Sequence, residues 1–117
     1  MKKTHIAFDV DGTLRCNKKP YPDYPAHEPV VINERRRTLL VTLASFKNVV
    51  CHIWSAQGED YAKHIRKEMG LEKYVKESNC HAKNLDHTTA GDFTPDIAID
   101  DMHKCELGHF NLIVNEK

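Results

Sequence analysis

Residues 6–15 read IAFDVDGTLR, a continuous apolar run that ends in two aspartates one residue apart. The run is too continuous for a strand with one face in water and is typical of the central strand of a parallel sheet, which we predict over residues 4–10. Asp9 and Asp11 therefore stand at the end of a buried strand. Carboxylates in such a place need a chemical reason.

The rest of the chain alternates strand and helix signals. VVCHIW (49–54), IAID (97–100) and FNLIV (110–114) are predicted strands, and residues 74–78 are a candidate short strand. Asn33 is the predicted cap of a helix that runs to about Lys47. Its apolar face would consist of Leu39, Leu40, Leu43 and Phe46, with residues 35–37, three arginines, on its solvated face.

A second helix is predicted over residues 59–69, with Tyr61, Ile65 and Met69 on one face and Gly70 as its stop. Four prolines exclude a helix and a central strand between residues 16 and 29, so we expect an exposed loop or a loose hairpin there. Residues 83–95 have little periodicity and are predicted to be irregular. The alternation predicts an α/β fold with three layers: a parallel sheet with helices on both faces.

Length and composition set limits on the class of protein. The 117 residues suit one domain, and 17 basic residues balance 17 acidic ones, so no nucleic-acid footprint is apparent. No apolar run is long enough to cross a bilayer, and the Met-Lys-Lys start lacks the apolar segment of a secretory signal. Cys16, Cys51, Cys80 and Cys105 are scattered without a C-x-x-C pair. We expect an intracellular, cytoplasmic protein without disulfides or a membrane partner.

Polar residues follow each of the three best strands. These are Asp9 and Asp11 after the first, Ser55 after the second, and Asp100 and Asp101 after the third. Because the carboxyl ends of parallel strands meet at one edge, we expect these side chains to converge there. Clustered carboxylates repel one another, and a divalent cation relieves that repulsion. An all-oxygen set favours Mg²⁺, which commonly also binds substrate phosphate.

Donors for a phosphate are predicted at the same edge. Backbone N–H groups of residues 11–13 can cradle phosphate oxygens, the Ser55 hydroxyl can donate another hydrogen bond, and Lys83 can supply positive charge.

The run Phe8-Asp9-Val10-Asp11-Gly12-Thr13-Leu14 resembles the D-x-D-G-T signature of the haloacid dehalogenase superfamily, whose members are mostly phosphohydrolases with a Rossmann-like fold. Three further motifs of that family appear in order. Ser55 resembles the Ser or Thr of the second motif, Lys83 the Lys of the third, and the acidic pair in IAIDD the fourth. The resemblance covers residues 4 to about 101.

The resemblance implies roles for these residues. Asp9 would be the nucleophile that forms an aspartyl-phosphate, and Asp11 the general acid and then base. Mg²⁺ would be held by Asp9, the main-chain carbonyl of Asp11 and Asp100, with Asp101 either a further carboxylate beside the metal or a surface acid. Phosphate contacts would come from Gly12, Thr13, Ser55, Ala56 and Lys83. The implied enzyme is a magnesium-dependent phosphatase.

Other functions fit the same motifs. A phosphotransferase shares the first chemical step, a nucleic-acid end phosphatase acts on a different substrate, and a non-catalytic module binds phosphate without turnover. The neutral charge balance weakens the nucleic-acid alternative. A zinc site is a separate hypothesis. Its ligands would come from Cys80, His81 and His87 around Lys83, and from His103, Cys105 and His109 after Asp101.

The spacing of the motifs leaves no room for a cap domain. Asp11 and Ser55 are 44 positions apart, filled by a Pro-rich flap at about residues 15–30 and one helix, and Lys83 and Asp100 are 17 apart. We therefore expect an open cleft with weak, broad activity on small phosphates, or a large phosphorylated substrate that supplies its own lid. Closure by a neighbouring subunit of an oligomer is the alternative.

Overall fold

The computed structural model describes residues 2–16, 31–84, 93–101 and 107–114. Five parallel strands form one sheet in the order β3-β2-β1-β4-β5. The strands are β1 (Thr4–Asp9), β2 (Val49–Ser55), β3 (Cys80–Ala82), β4 (Ile97–Asp100) and β5 (Phe110–Ile113), and the helices are α1 (Glu34–Ala44) and α2 (Glu59–Glu68). The predicted α/β class with a parallel sheet is confirmed.

The strand order places a reversal of direction beside β1. The chain adds β2 and β3 on one side of β1 and then returns to add β4 and β5 on the other. In an open parallel sheet, the crevice that binds ligands lies at the carboxyl ends of the strands where the order reverses. Here Asp9 ends β1 and Asp100 ends β4, so the two carboxylates border that crevice.

The two faces of the sheet bury different sets of side chains. One face holds the larger apolar cluster, in which strand residues such as Phe8 and Ile53 pack with Leu40 of α1 and Ile65 of α2. The opposite face has a smaller cluster of Ala7, Trp54, Ala98 and Leu107, with Phe93 against it.

Within the described ranges, both helices thus cover the same face. The right-handed crossover rule explains this, since β1, β2 and β3 are added in one direction. The predicted helix on the second face is not found in the described ranges.

Helix α1 begins as predicted but ends early. The Asn33 side chain accepts a hydrogen bond from the Arg36 N–H at 3.1 Å, which caps the first turn. The predicted end at Lys47 is wrong, because the Ser45 hydroxyl donates to the Thr42 carbonyl at 2.6 Å and the chain turns away.

The predicted environment of the α1 side chains also needs correction. Leu40 is buried, but Leu39 is 38% exposed and Phe46 57% exposed, so these two are not core residues. Arg37 is not simply solvated. Its Nε donates to the Met69 carbonyl at 2.7 Å, which ties α1 to the end of α2.

The predicted strand over residues 74–78 is wrong. The N–H groups of Tyr74 and Val75 donate to the Leu71 carbonyl, at 3.0 and 2.9 Å, and form a turn that buries Val75. A short 3₁₀ helix, Glu77–Asn79, follows. The third strand begins only at Cys80, and its register pairs Ala82 with Ser55.

The Pro-rich flap falls on residues 17–30, outside the described ranges, but its two ends are described. The Cys16 N–H donates to the Val31 carbonyl at 2.7 Å, and Arg15 forms an antiparallel bridge with Ile32. Residues 15–16 and 31–32, which flank the flap, are therefore paired with each other. In the described part of the chain, neither helix has the length and apolar character that a membrane crossing requires.

Candidate active site

Three carboxylates and one ammonium group converge at the carboxyl edge of the sheet. The Lys83 Nζ lies 2.6 Å from Asp9 Oδ1 and 2.5 Å from Asp100 Oδ2. One carboxylate oxygen from each of Asp9, Asp100 and Asp101 can be chosen so that all three lie within 4.8 Å of one another. Asp9, Asp100 and Lys83 are buried, and Asp101 is half-buried. The predicted convergence of these residues is observed.

The electrostatics of this cluster show an excess of negative charge. Burial raises the pKa of the Asp9 carboxyl well above its usual range; Lys83 opposes this shift, and Asp100 and Asp101 add to it. Burial also raises the pKa of Asp101 to about 6. For Lys83, burial favours a lower pKa, but attraction to Asp9 and Asp100 outweighs it and raises the pKa. Lys83 therefore stays charged, and the carboxylates need a further cation or a proton.

This donor set fits a hard divalent ion. Three acidic side chains offer only oxygen ligands, and one lysine does not balance them. The arrangement can hold Mg²⁺ or a similar ion against Asp9, Asp100 and Asp101.

The turn after β1 is tightly organised by its own backbone. The Val10 carbonyl accepts from the N–H groups of Thr13, Leu14 and Arg15 at 3.2, 2.9 and 2.8 Å. The Gly12 N–H donates to the Arg15 carbonyl at 2.8 Å. The N–H groups of Gly12 and Thr13, predicted to cradle phosphate, thus bond within the turn. The Thr13 hydroxyl instead donates to Asp9 Oδ2 at 3.2 Å.

Gly12 is required where the turn meets the acidic cluster. Its φ of +86° lies in the region that favours glycine. A Cβ at this position would lie 2.0 Å from Asp101 Oδ2. The Asp-Gly pair therefore lets Asp101 approach the β1 turn, which no larger residue at position 12 permits.

Ser55 ends β2 between the acidic cluster and α2. Its hydroxyl oxygen accepts from the Gln57 N–H at 3.0 Å, so the hydroxyl hydrogen can still be donated to a ligand. Its carbonyl accepts from the Lys83 N–H at 3.1 Å, which fixes the start of the lysine relative to β2. Ala56 follows in the turn that leads to α2.

The Asp11 side chain does not belong to the acidic cluster of Asp9, Asp100 and Asp101. Its Oδ2 accepts from Gln57 Nε2 at 2.6 Å and its Oδ1 from the Tyr61 hydroxyl at 2.8 Å. Arg15 Nη1 lies 2.5 Å from the Tyr61 oxygen and 3.9 Å from Asp11 Oδ1. The two aspartates of the signature therefore have different partners: Lys83 and Thr13 for Asp9, α2 and its preceding turn for Asp11.

Sequence reasoning missed Gln57, Tyr61 and Arg15. The sequence predicts Tyr61 on the apolar face of the second helix, and its ring is indeed buried, but its hydroxyl donates to Asp11. The sequence did contain a sign of this contact, because a buried tyrosine, unlike a phenylalanine, has a hydroxyl that usually finds a hydrogen-bond partner.

The residues of the zinc hypothesis do not come together where they are described. Cys80 packs in the cluster beneath the helices, whereas His81 stacks on Phe93 on the opposite face. Neighbouring residues of a strand face opposite ways, so these two cannot share an ion. His109 is exposed, and His87, His103 and Cys105 lie outside the described ranges. Of the four cysteines, Cys16, Cys51 and Cys80 are described and are thiols.

Compared with known proteins, the chain matches no family model, no curated protein and no solved structure.

Proposed function

We propose that this chain is a Mg²⁺-dependent phosphohydrolase of the haloacid dehalogenase type, acting through an aspartyl-phosphate on Asp9. The observation that supports it best is the contact of Asp9 with Lys83, beside Asp100 and Asp101, at the crevice between β1 and β4. A buried carboxylate beside a fixed ammonium group and a cation site suits attack on a phosphate. We also propose a three-layer, Rossmann-like arrangement. A cytoplasmic location is proposed because the described cysteines are thiols, which suits a reducing compartment.

In the first half-reaction, a carboxylate oxygen of Asp9 forms a bond to phosphorus as the bond from phosphorus to the leaving oxygen breaks. The leaving oxygen keeps the electron pair and takes a proton from Asp11. Lys83 and the Ser55 hydroxyl would donate hydrogen bonds to the phosphoryl oxygens. A bound Mg²⁺ would supply charge neutralisation for the phosphoryl group.

In the second half-reaction, a water oxygen bonds to phosphorus while its proton passes to Asp11. The bond between phosphorus and Asp9 breaks, and Asp9 leaves as a carboxylate. Inorganic phosphate is released, and Asp11 holds the proton that the next cycle needs. Two carboxyl groups with separate partners suit these separate roles.

The test is an assay of the purified chain with para-nitrophenyl phosphate. We expect turnover in Mg²⁺, loss of activity in EDTA, and loss of activity in Asp9→Asn. Glu68→Gln, which neutralises an exposed carboxylate at the end of α2, is the matched control and should behave as wild type. Activity that persists in EDTA and in Asp9→Asn would overturn the proposal. Product analysis with added alcohols separates hydrolysis from phosphotransfer.

A further inference from the structure

The carboxyl group of Asp11 is held at both oxygens by neutral donors. Gln57 Nε2 lies 2.6 Å from Oδ2, and the Tyr61 hydroxyl lies 2.8 Å from Oδ1. Gln57 stands in the turn before α2 and Tyr61 in the first turns of α2, so one helix start positions both donors. Asp11 is thereby directed toward α2, while Asp9 faces Lys83.

The two donors are not equivalent. Tyr61 is itself held, because Arg15 Nη1 donates to its oxygen at 2.5 Å and Arg15 is fully buried. Burial and the charge of Asp11 raise the pKa of Tyr61 well above its usual range, so the phenol keeps its proton. With its oxygen accepting from Arg15, the hydroxyl hydrogen of Tyr61 points to Asp11 Oδ1.

Gln57 is able to serve both protonation states of Asp11. Its amide nitrogen donates to an ionised Oδ2, and a half-turn of the amide presents its oxygen, which accepts from a protonated Oδ2. The amide oxygen and nitrogen of a glutamine are similar in size, so this half-turn needs no further space. Among the described residues, Oδ1 in contrast has donors beside it, the Tyr61 hydroxyl at 2.8 Å and Arg15 Nη1 at 3.9 Å.

We infer that Tyr61 and Gln57 are positioning residues for proton transfer: Tyr61, held by Arg15, keeps Oδ1 of Asp11 as an acceptor, so that Oδ2 beside Gln57 carries the transferable proton. This inference rests on the proposed phosphohydrolase function. In the first half-reaction the proton leaves Oδ2 for the leaving oxygen, and in the second a water proton returns to Oδ2. Oδ1 keeps the Tyr61 hydrogen bond throughout.

Dependence on the leaving group provides the test. A para-nitrophenolate leaves without a proton, whereas an alkoxide needs one, so loss of general acid catalysis mainly slows alkyl phosphates. We expect Tyr61→Phe and Gln57→Leu to lower kcat for glycerol 2-phosphate at least about 10-fold more than for para-nitrophenyl phosphate. Tyr74→Phe, at a partly exposed tyrosine outside the site, is the matched control and should change neither.

A double-mutant cycle shows whether the two residues act through Asp11. In an Asp11→Asn background, Tyr61→Phe should cause little further loss on either substrate. Equal losses on both substrates in both single variants, or an undiminished loss in the Asp11→Asn background, would overturn the inference. Gln57→Leu keeps the test available if Tyr61→Phe fails to fold.

Failure of the proposed function would look different. A wild-type chain that hydrolyses neither substrate in Mg²⁺, or an active Asp9→Asn variant, refutes the phosphohydrolase itself. Active wild-type protein with unchanged substrate ratios in Tyr61→Phe and Gln57→Leu refutes only the positioning role.

Discussion

Lys83 Nζ donates a hydrogen bond to Asp9 Oδ1 at 2.6 Å, although 74 positions separate the two residues. The strand order explains the contact. Lys83 follows β3, which is separated from β1 by β2 alone, and its long side chain reaches past the end of β2 to Asp9. Both side chains are almost wholly buried, so each depends on the other for compensation of its charge.

We expect Lys83→Met to destabilise the metal-free protein by about 3 kcal/mol at pH 7, because the variant leaves buried carboxylates without their ammonium partner. Urea unfolding in EDTA measures the loss. Mg²⁺ should restore part of the stability, since it supplies the missing positive charge. Lys73→Met, at an exposed lysine, is the control. Equal unfolding midpoints for wild type and Lys83→Met would contradict the assigned ion pair.

Gly12→Ala should destabilise the fold by about 2 kcal/mol or more, because it adds both backbone strain and a clash. The strain arises at a φ of +86°, and the clash brings the new Cβ to 2.0 Å from Asp101 Oδ2. Thermal unfolding of Gly12→Ala in the wild-type and Asp101→Ala backgrounds separates the two causes. The loss of stability caused by Gly12→Ala should be smaller in the Asp101→Ala background.

Gly58 provides the matched comparison for that experiment. Its φ is +111°, but nothing lies within 4 Å of a Cβ built there, so Gly58→Ala introduces strain without a clash. Its cost should be the same in the wild-type and Asp101→Ala backgrounds. If Gly12→Ala also costs the same in both, Asp101 does not lie against the turn.

Three histidines form a hydrogen-bonded chain across β1, β2 and β3 on the face opposite the helices. His5 Nδ1 lies 2.8 Å from His52 Nε2, and His52 Nδ1 lies 2.9 Å from His81 Nε2. Phe93 stacks on His81 with ring centroids 4.2 Å apart. Burial, and then the charges of His81 and His5, lower the pKa of His52 to about 3.

The lowered pKa of His52 in this row of histidines predicts that the protein loses stability in acid. The unfolded chain protonates His52 below about pH 6.5, whereas the folded protein keeps it neutral until about pH 3. The stabilisation is therefore complete above pH 6.5 and falls with pH by at most about 1.4 kcal/mol per unit. The raised pKa values of Asp9 and Asp101 make stability change with pH in the opposite direction. The His52→Gln variant keeps both aspartates and is therefore the reference. Urea unfolding from pH 7 to pH 4 should show a steeper loss for wild type; parallel curves would contradict it.

The strands that carry the site were predictable because they are buried on both faces. Continuous apolar runs mark β1, β2 and β4, and each ends in the polar residues that converge. The short third strand was missed because Val75, the apolar residue of the preceding segment, is buried by a turn and not by strand pairing. Burial alone does not distinguish these two structures.

The sequence does not predict which contacts the polar atoms of otherwise apolar side chains make. The spacing of the second helix placed Tyr61 inside correctly, but it did not say which group its hydroxyl would meet. Likewise, the leucines at positions 39 and 40 have the same hydropathy. Only the packing of α1 against β2 buries Leu40 and leaves Leu39 exposed.

Substitution of the two aspartates of the D-x-D pair should impair different steps of the reaction. Asp9→Asn removes the nucleophile, so no phosphoenzyme should form. Asp11→Asn keeps Asp9 and its contact with Lys83, so it should still form phosphoenzyme but transfer protons slowly in both half-reactions. Rapid-quench mass spectrometry of each variant detects the phosphoryl group. Phosphoenzyme in Asp9→Asn, or fluoroberyllate binding with unaltered affinity, would remove Asp9 from its role, because another residue would then carry the phosphoryl group.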